Sequence, residues 1–130
     1  RRQRQMCIRD RICNHSYDMH NLEGRRGVGQ LEGESYEDYR KIFLNDTTKL
    51  QTLCDEHCGF QPNVYTYPFG ITCESASRLV KNMGFEASLG VEEKNNIIKK
   101  EDEHCLFGLY RYNRSGIIST EEFMKKVFGA

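Results

Sequence analysis

"PNVYTYPFGITCESASRLVKNMGFEASL", residues 62–89, changes its hydrophobic period twice in one short run. Residues 62–67 are rich in β-branched and aromatic side chains and lie between Pro62 and Pro68, which predicts a strand ending at Pro68 and Gly70. "TCESASRLVKNMG" predicts a helix, capped by Thr72 or Ser75 and closed by Gly84. "FEASL", residues 85–89, predicts a second short strand. Strand, helix and strand in close succession favour parallel strands joined by a helical crossover.

The same alternation extends in both directions. Residues 106–111, inside "CLFGLYRY", predict another strand, and Ser119 caps a final helix over residues 120–128 with an acid three positions on. Upstream, "SYED" offers Ser35 as an N-cap in a capping-box pattern. Tyr36, Tyr39, Phe43, Leu50, Leu53 and Cys54 then recur at helical spacing up to a stop at Gly59, a stretch long enough to allow a break near residues 45–48. Residues 23–34 hold four glycines and predict a loop. Residues 12–20 predict a strand end that runs into a loop, and the charged residues 92–104 a loop or a solvated helical turn. The expected fold class is α/β, with helices packed on parallel strands.

A chain of 130 residues suits one domain, and 38% hydrophobic with 29% charged residues is ordinary for a globular protein. No apolar run approaches the roughly 20 residues of a membrane span. The net charge is +0, but residues 1–11 carry five arginines against Asp10, a local +4 that leaves −4 for the remainder. A basic arm ordinarily points to nucleic acid. Here "RRQRQMCIRD" back-translates without mismatch into a transposon-type sequencing adapter, so no nucleic-acid partner is expected. Residues 1–11 are then an artefact, native sequence begins near residue 12, and 12–130 is a partial domain. Outside the adapter stretch, Cys13, Cys54, Cys58, Cys73 and Cys105 make an odd set without framework spacing, which suits free thiols.

Four stretches have the residue types that carry chemistry. "NHSYDMH", residues 14–20, brings two imidazoles close in sequence. Two neutral, oriented histidines can share a zinc ion if a third ligand comes from elsewhere; taken alone, the stretch suits a polar loop as well. "YTYPFG", residues 65–70, can turn the backbone sharply and present N–H groups to an anionic transition state, or can be a plain strand-to-helix turn. "RYNRSGIISTEE", residues 111–122, echoes a calcium loop, but Arg111 stands where an aspartate is required. "CDEHC" places Cys54 and Cys58 on one helix face without a second cysteine pair at zinc-ribbon spacing, so a buried Cys54 is expected instead.

In their order, "NHSYDMH", "YTYPFG", "SASRLVKNMGFEASLG" and "LYRYNRSG" resemble the polysaccharide deacetylase family, carbohydrate esterase family four. The resemblance runs from residue 12 nearly to the C-terminus. It implies a distorted (β/α) barrel of parallel strands with outer helices, here partial and without its N-terminal strands. It also implies removal of N- or O-linked acetyl groups from a polysaccharide such as peptidoglycan, chitin or xylan. The family's divalent ion, usually zinc, is held by one Asp and two His and polarises the acetyl carbonyl.

Carried over residue by residue, His15 and His20 are the metal ligands. The usual second motif is His-Ser/Thr-x-x-His; His15 and Ser16 match, Met19 takes the place of the second histidine, and His20 follows one residue later. On an α-helix that spacing would set the rings about 140° apart, so an irregular turn is required. Tyr67 and Pro68 fall at substrate-binding positions, and Phe69 at the position whose backbone N–H serves the oxyanion. Thr66 replaces the usual Arg, and Arg111 falls where the family has its acid His. Arg111 stays charged, so it can stabilise negative charge but cannot act as a general acid. The motif T-F-D-D, source of the base and of the metal Asp, has no counterpart before His15. The chain on its own is therefore expected to be an inactive piece of a deacetylase, from an extracellular or envelope protein. The rival expectation is a non-catalytic glycan-binding or structural domain of the same shape; a calcium module at residues 111–122 is a third.

Overall fold

The computed structural model describes residues 11–129. The adapter reading concerns residues 1–11, of which all but Arg11 lie outside the described residues; Arg11 donates to the Asn63 side chain at 2.7 Å.

The sheet is parallel and short. Strand β1, Val64–Thr66, pairs with β2, Ala87–Leu89, in the register Tyr65↔Ser88. Single parallel bridges extend it on both sides, Asn14↔Tyr65 and Leu89↔Leu109. The spatial order thus follows the chain order, as successive strand–crossover–strand units produce. Helix α1, Tyr36–Cys58, forms the first crossover and α2, Glu74–Asn82, the second; the two pack on each other. Helix α3, Thr120–Phe128, follows the last bridge and buries none of its residues. This is the expected α/β alternation, seen as a small parallel sheet.

Most helix ends follow local chemistry. The Ser35 side chain accepts the Asp38 N–H, and Gly59 closes α1 in the left-handed region. The sequence leaves room for a break near 45–48, but α1 runs through without one. Thr47 is fully buried there and Asp46 bonds a neighbouring loop, so tertiary contacts carry the helix through. Ser119 and Glu122 complete a reciprocal capping box on α3. Helix α2 corrects the expectation of a Thr72 or Ser75 cap: the Cys73 Sγ accepts the Ala76 N–H at 3.4 Å. The strand expected over 106–111 is also reduced to one bridge. Its first residue belongs to a 3-10 turn, Glu103–Leu106, and Gly108 at φ +83° bends the chain before Leu109 pairs.

The core lies between the two crossover helices and the sheet. Tyr39 and Phe43 of α1 meet Tyr65 and Tyr67, while Ala76, Leu79 and Val80 of α2 close it with Phe85. Met19 and Val28 join from loops, which ties residues 16–30 to the core although they form no regular element. All three β1 residues are buried, the pattern of a parallel strand covered on both faces. Cys54 is half-buried, Cys58 is exposed, and the five described cysteines are free. Among the described residues no helix is long and apolar enough to cross a membrane.

Candidate metal-binding site

The site begins at Asn14, whose backbone pairs with β1 through Asn14 N to Val64 O at 2.9 Å and Thr66 N to Asn14 O at 2.7 Å. The strand then stops. The Asn14 Oδ1 accepts the Ser16 N–H at 3.0 Å, an Asx-type turn, and Ser16 takes φ +67°. Tyr17 and Asp18 bend outward, and Met19 returns to the core at 5% exposure. His20 emerges beside His15.

This is the irregular turn that a spacing of five requires. The His15 and His20 ring centroids lie 5.0 Å apart with planes tilted by 55°. Two imidazoles that share a tetrahedral ion at about 2.0–2.1 Å, each with one nitrogen directed at it, set their centroids about 5 Å apart. The His15 Nδ1 lies 2.8 Å from the Thr66 carbonyl oxygen. A carbonyl only accepts, so Nδ1 carries the hydrogen and the neutral ring keeps its Nε2 lone pair for a ligand. Such an outer hydrogen bond is how metal-binding histidines are usually oriented. These two residues fit half of a tetrahedral site. Among the described residues no group of three or more His, Cys, Asp and Glu side chains converges as a metal set.

Phe69 lies on the other side of His20, ring to ring at 4.1 Å. It occupies a tight 3-10 turn, Pro68–Gly70, that follows β1. Phe69 has φ +56° and Gly70 φ +69°, two consecutive left-handed residues. The Gly70 N–H bonds the Tyr67 carbonyl and the Ile71 N–H the Pro68 carbonyl, while the Phe69 N–H enters none of the described backbone bonds. A side chain at Gly70 would be strained, because the residue sits in the left-handed region and a Cβ would stand 2.3 Å from the Val91 Cγ2, which would have to shift. The Arg26 guanidinium lies 5.3 Å from the Phe69 ring centroid, so the ring has a cation as well as an imidazole against it.

The remaining positions are placed differently. Tyr67 and Pro68 are buried, and the Tyr67 ring packs on Tyr65 at 5.4 Å, so toward the site they offer the backbone of the turn, not a free side-chain face. Arg111 is exposed, at the end of the last parallel segment, where its N–H bonds the Glu92 carbonyl at 3.0 Å. It lines an open cavity of about 420 Å³ with Val91, Tyr112 and Asn113. Val91 also abuts Gly70, which puts that cavity on the same end of the sheet as the Phe69 turn. His15, His20 and Phe69 are thus brought together, and Arg111 stands farther along the same rim. In parallel α/β sheets that rim, at the carboxyl ends of the strands, is where ligands bind.

The motif order did not indicate Asp46 or the side-chain bonds of Asn14. Asp46 accepts the Tyr17 N–H at 3.0 Å and the Asp18 N–H at 2.6 Å. The Asn14 Nδ2 donates to the Thr47 carbonyl at 3.2 Å and to Gln51 Oε1 at 3.1 Å. The one available signal was the run Asn45, Asp46, Thr47 and Thr48, four helix-disfavoured residues inside an otherwise helical stretch.

No family model matches this chain, and no curated protein does. Solved structures do resemble it. A de-N-acetylase from Aggregatibacter actinomycetemcomitans aligns over 88% of this chain and 47% of its own, with a TM-score of 0.62 and 15% identity. The BpsB deacetylase domain from Bordetella bronchiseptica aligns over 65% and 37%, at 0.54 and 17%. IcaB from Ammonifex degensii aligns over 60% and 32%, at 0.49 and 22%. The chain therefore spans less than half the length of each. At such identities the likeness is one of fold, and this chain shares its α/β fold with part of a de-N-acetylase structure.

Proposed function

We propose that this chain is part of a metal-dependent hydrolase that removes N- or O-linked acetyl groups from a polysaccharide such as peptidoglycan, chitin or xylan. Its place is the cell envelope or the extracellular space. The observation that carries the reading is the convergence of His15, His20 and Phe69 at the carboxyl end of a parallel sheet. The deacetylase structures that share the fold support it.

A divalent ion, zinc by preference, would be held by His15 and His20 and would supply Lewis-acid polarisation of the acetyl carbonyl. The Thr66 carbonyl fixes the His15 tautomer and ring angle. The Phe69 N–H, which enters none of the described backbone bonds, donates to the oxygen that gains negative charge. Arg111 adds positive charge at the rim without serving as acid. A base and a carboxylate ligand must come from residues other than these, so the 130-residue chain alone is expected to release no acetate.

The test compares this chain with a longer product of the same gene that carries a T-F-D-D motif ahead of His15. Zinc-dependent acetate release by the longer product, lost in His15→Ala and His20→Ala, is expected. Acetate release by the short chain, or release that survives both substitutions, overturns the reading. A second reading, a non-catalytic glycan-binding domain, is favoured by Arg111 at the acid position. Polysaccharide binding by the longer product without acetate release would establish it.

A further inference from the structure

We propose that Asp46, in the middle of α1, is the positioning residue that holds His15 and His20 as a preformed pair; the inference rests on the metal-ligand reading of those histidines.

The four residues between the two imidazoles are tied down by three devices. Ser16 is bonded through its N–H to Asn14. Met19 is fixed by burial. Tyr17 and Asp18 are exposed and have no core contact of that kind; their N–H groups are held by the two carboxylate oxygens of Asp46, Oδ1 and Oδ2 respectively. A carboxylate that spans two successive N–H groups fixes the peptide plane between them, as a helix cap or an anion in a backbone nest does. The bonds cross 29 and 28 residues of sequence, so they join the loop to a helix and do not merely close a local turn.

Asp46 is also the tie most separable from the fold. Asn14 and Met19 are buried, and their loss disturbs the core; Asp46 is half-buried, on a helix already anchored by Tyr39, Phe43 and Thr47. Without its carboxylate, the Tyr17 and Asp18 N–H groups lose their described acceptors, while the Asn21 bond to the Asp18 carbonyl and the Lys49 ammonium over the Tyr17 ring remain, and the path from His15 to His20 loosens. A two-histidine site depends strongly on preorganisation, because few ligands share the cost of ordering it. Outer partners of metal ligands typically change affinity by about 10–100-fold when removed.

The test uses the full 130-residue chain as wild type, Asp46→Asn and Asp46→Ala, with Tyr39→Phe, which loses its bond to the Val28 carbonyl, as a variant destabilised outside residues 14–20. Two NMR readouts are taken. The first needs no metal: amide exchange at Tyr17 and Asp18, and the cross-relaxation between the His15 and His20 ring protons. The second is the response of those ring signals to added Zn²⁺. Asp46→Ala is expected to speed exchange at both amides, to weaken the ring-to-ring signal and to raise the Zn²⁺ concentration needed by about 10-fold or more. Asp46→Asn, which keeps one acceptor oxygen, is expected to fall between, and Tyr39→Phe is expected to change neither readout. Should Asp46→Ala unfold the chain, Asp46→Asn decides alone. An unchanged ring-to-ring signal in the Asp46 variants, or an equal loss in Tyr39→Phe, overturns the proposal. Failure of the metal reading is seen separately, as a wild-type chain whose histidine signals ignore Zn²⁺, and the metal-free readout still decides the role of Asp46.

Discussion

The Asn14 side chain crosses from the first parallel segment to α1, where its Nδ2 donates to the Thr47 carbonyl at 3.2 Å, with both residues fully buried. The same nitrogen reaches Gln51 Oε1, and Oδ1 takes the Ser16 N–H that starts the histidine turn. One side chain thus joins sheet, helix and site. Asn14→Ala removes three bonds and leaves buried groups unpaired, at a cost of about 2–4 kcal/mol. Urea unfolding should show a lower midpoint with an unchanged slope, and a loss under about 0.5 kcal/mol would mean that the bonds are replaced by water.

At the Phe69 turn, Gly70 and Val91 make the tightest fit among the described glycines. Gly70→Ala adds a Cβ in the left-handed region and drives it into the Val91 side chain. Strain and overpacking together should cost about 2–4 kcal/mol. In a double-mutant cycle, Val91→Ala should recover the steric share and leave about 1 kcal/mol of backbone strain. Full additivity of the two changes would show that the residues do not press on each other.

The sequence exposed those elements whose causes are local. Ser35 and Ser119 hold their caps within three residues, so both helix starts could be found from short spacings. Cys73 was missed as a cap because a thiol is a weak acceptor and stands outside the usual capping set. The strand at residues 106–111 was overextended because its aromatic and apolar content outweighed one glycine, and that glycine turns the chain. In the site, His15, His20 and Phe69 could be proposed from motif order. What makes their geometry work was hidden: Asp46 and Asn14 act across 28 to 37 residues, a distance over which no local period gives a signal.

The loop at residues 23–34 carries an acid-sensitive clasp. Arg25 Nη1 donates to Glu34 Oε2 at 2.8 Å and Nη2 to Oε1, and both side chains are largely shielded. The Arg25 hydrogen bond holds the Glu34 carboxyl below the usual carboxylate range, partly opposed by burial. A depressed carboxyl favours the folded state above its ordinary value and loses that contribution as the pH falls through the folded value. Glu34→Gln should therefore destabilise the chain at neutral pH, by on the order of 1 kcal/mol, and flatten its stability loss in acid. Thermal unfolding from neutral to strongly acidic pH would show the two curves converging; parallel curves would exclude the clasp as an acid sensor.

Met19 is the buried residue directly before the second imidazole. At 5% exposure it belongs to the core cluster, and its burial brings the chain back so that His20 comes out beside His15. If Met19 is the anchor, volume matters more than chemistry. Met19→Leu should cost less than about 1.5 kcal/mol and keep the His15–His20 ring contact. Met19→Ala should cost about 2–4 kcal/mol, because the pocket cannot fully collapse, and should also weaken the ring-to-ring NMR signal. Loss of stability with the ring contact intact would separate the two roles and leave Asn14 and Asp46 as the groups that set the pair.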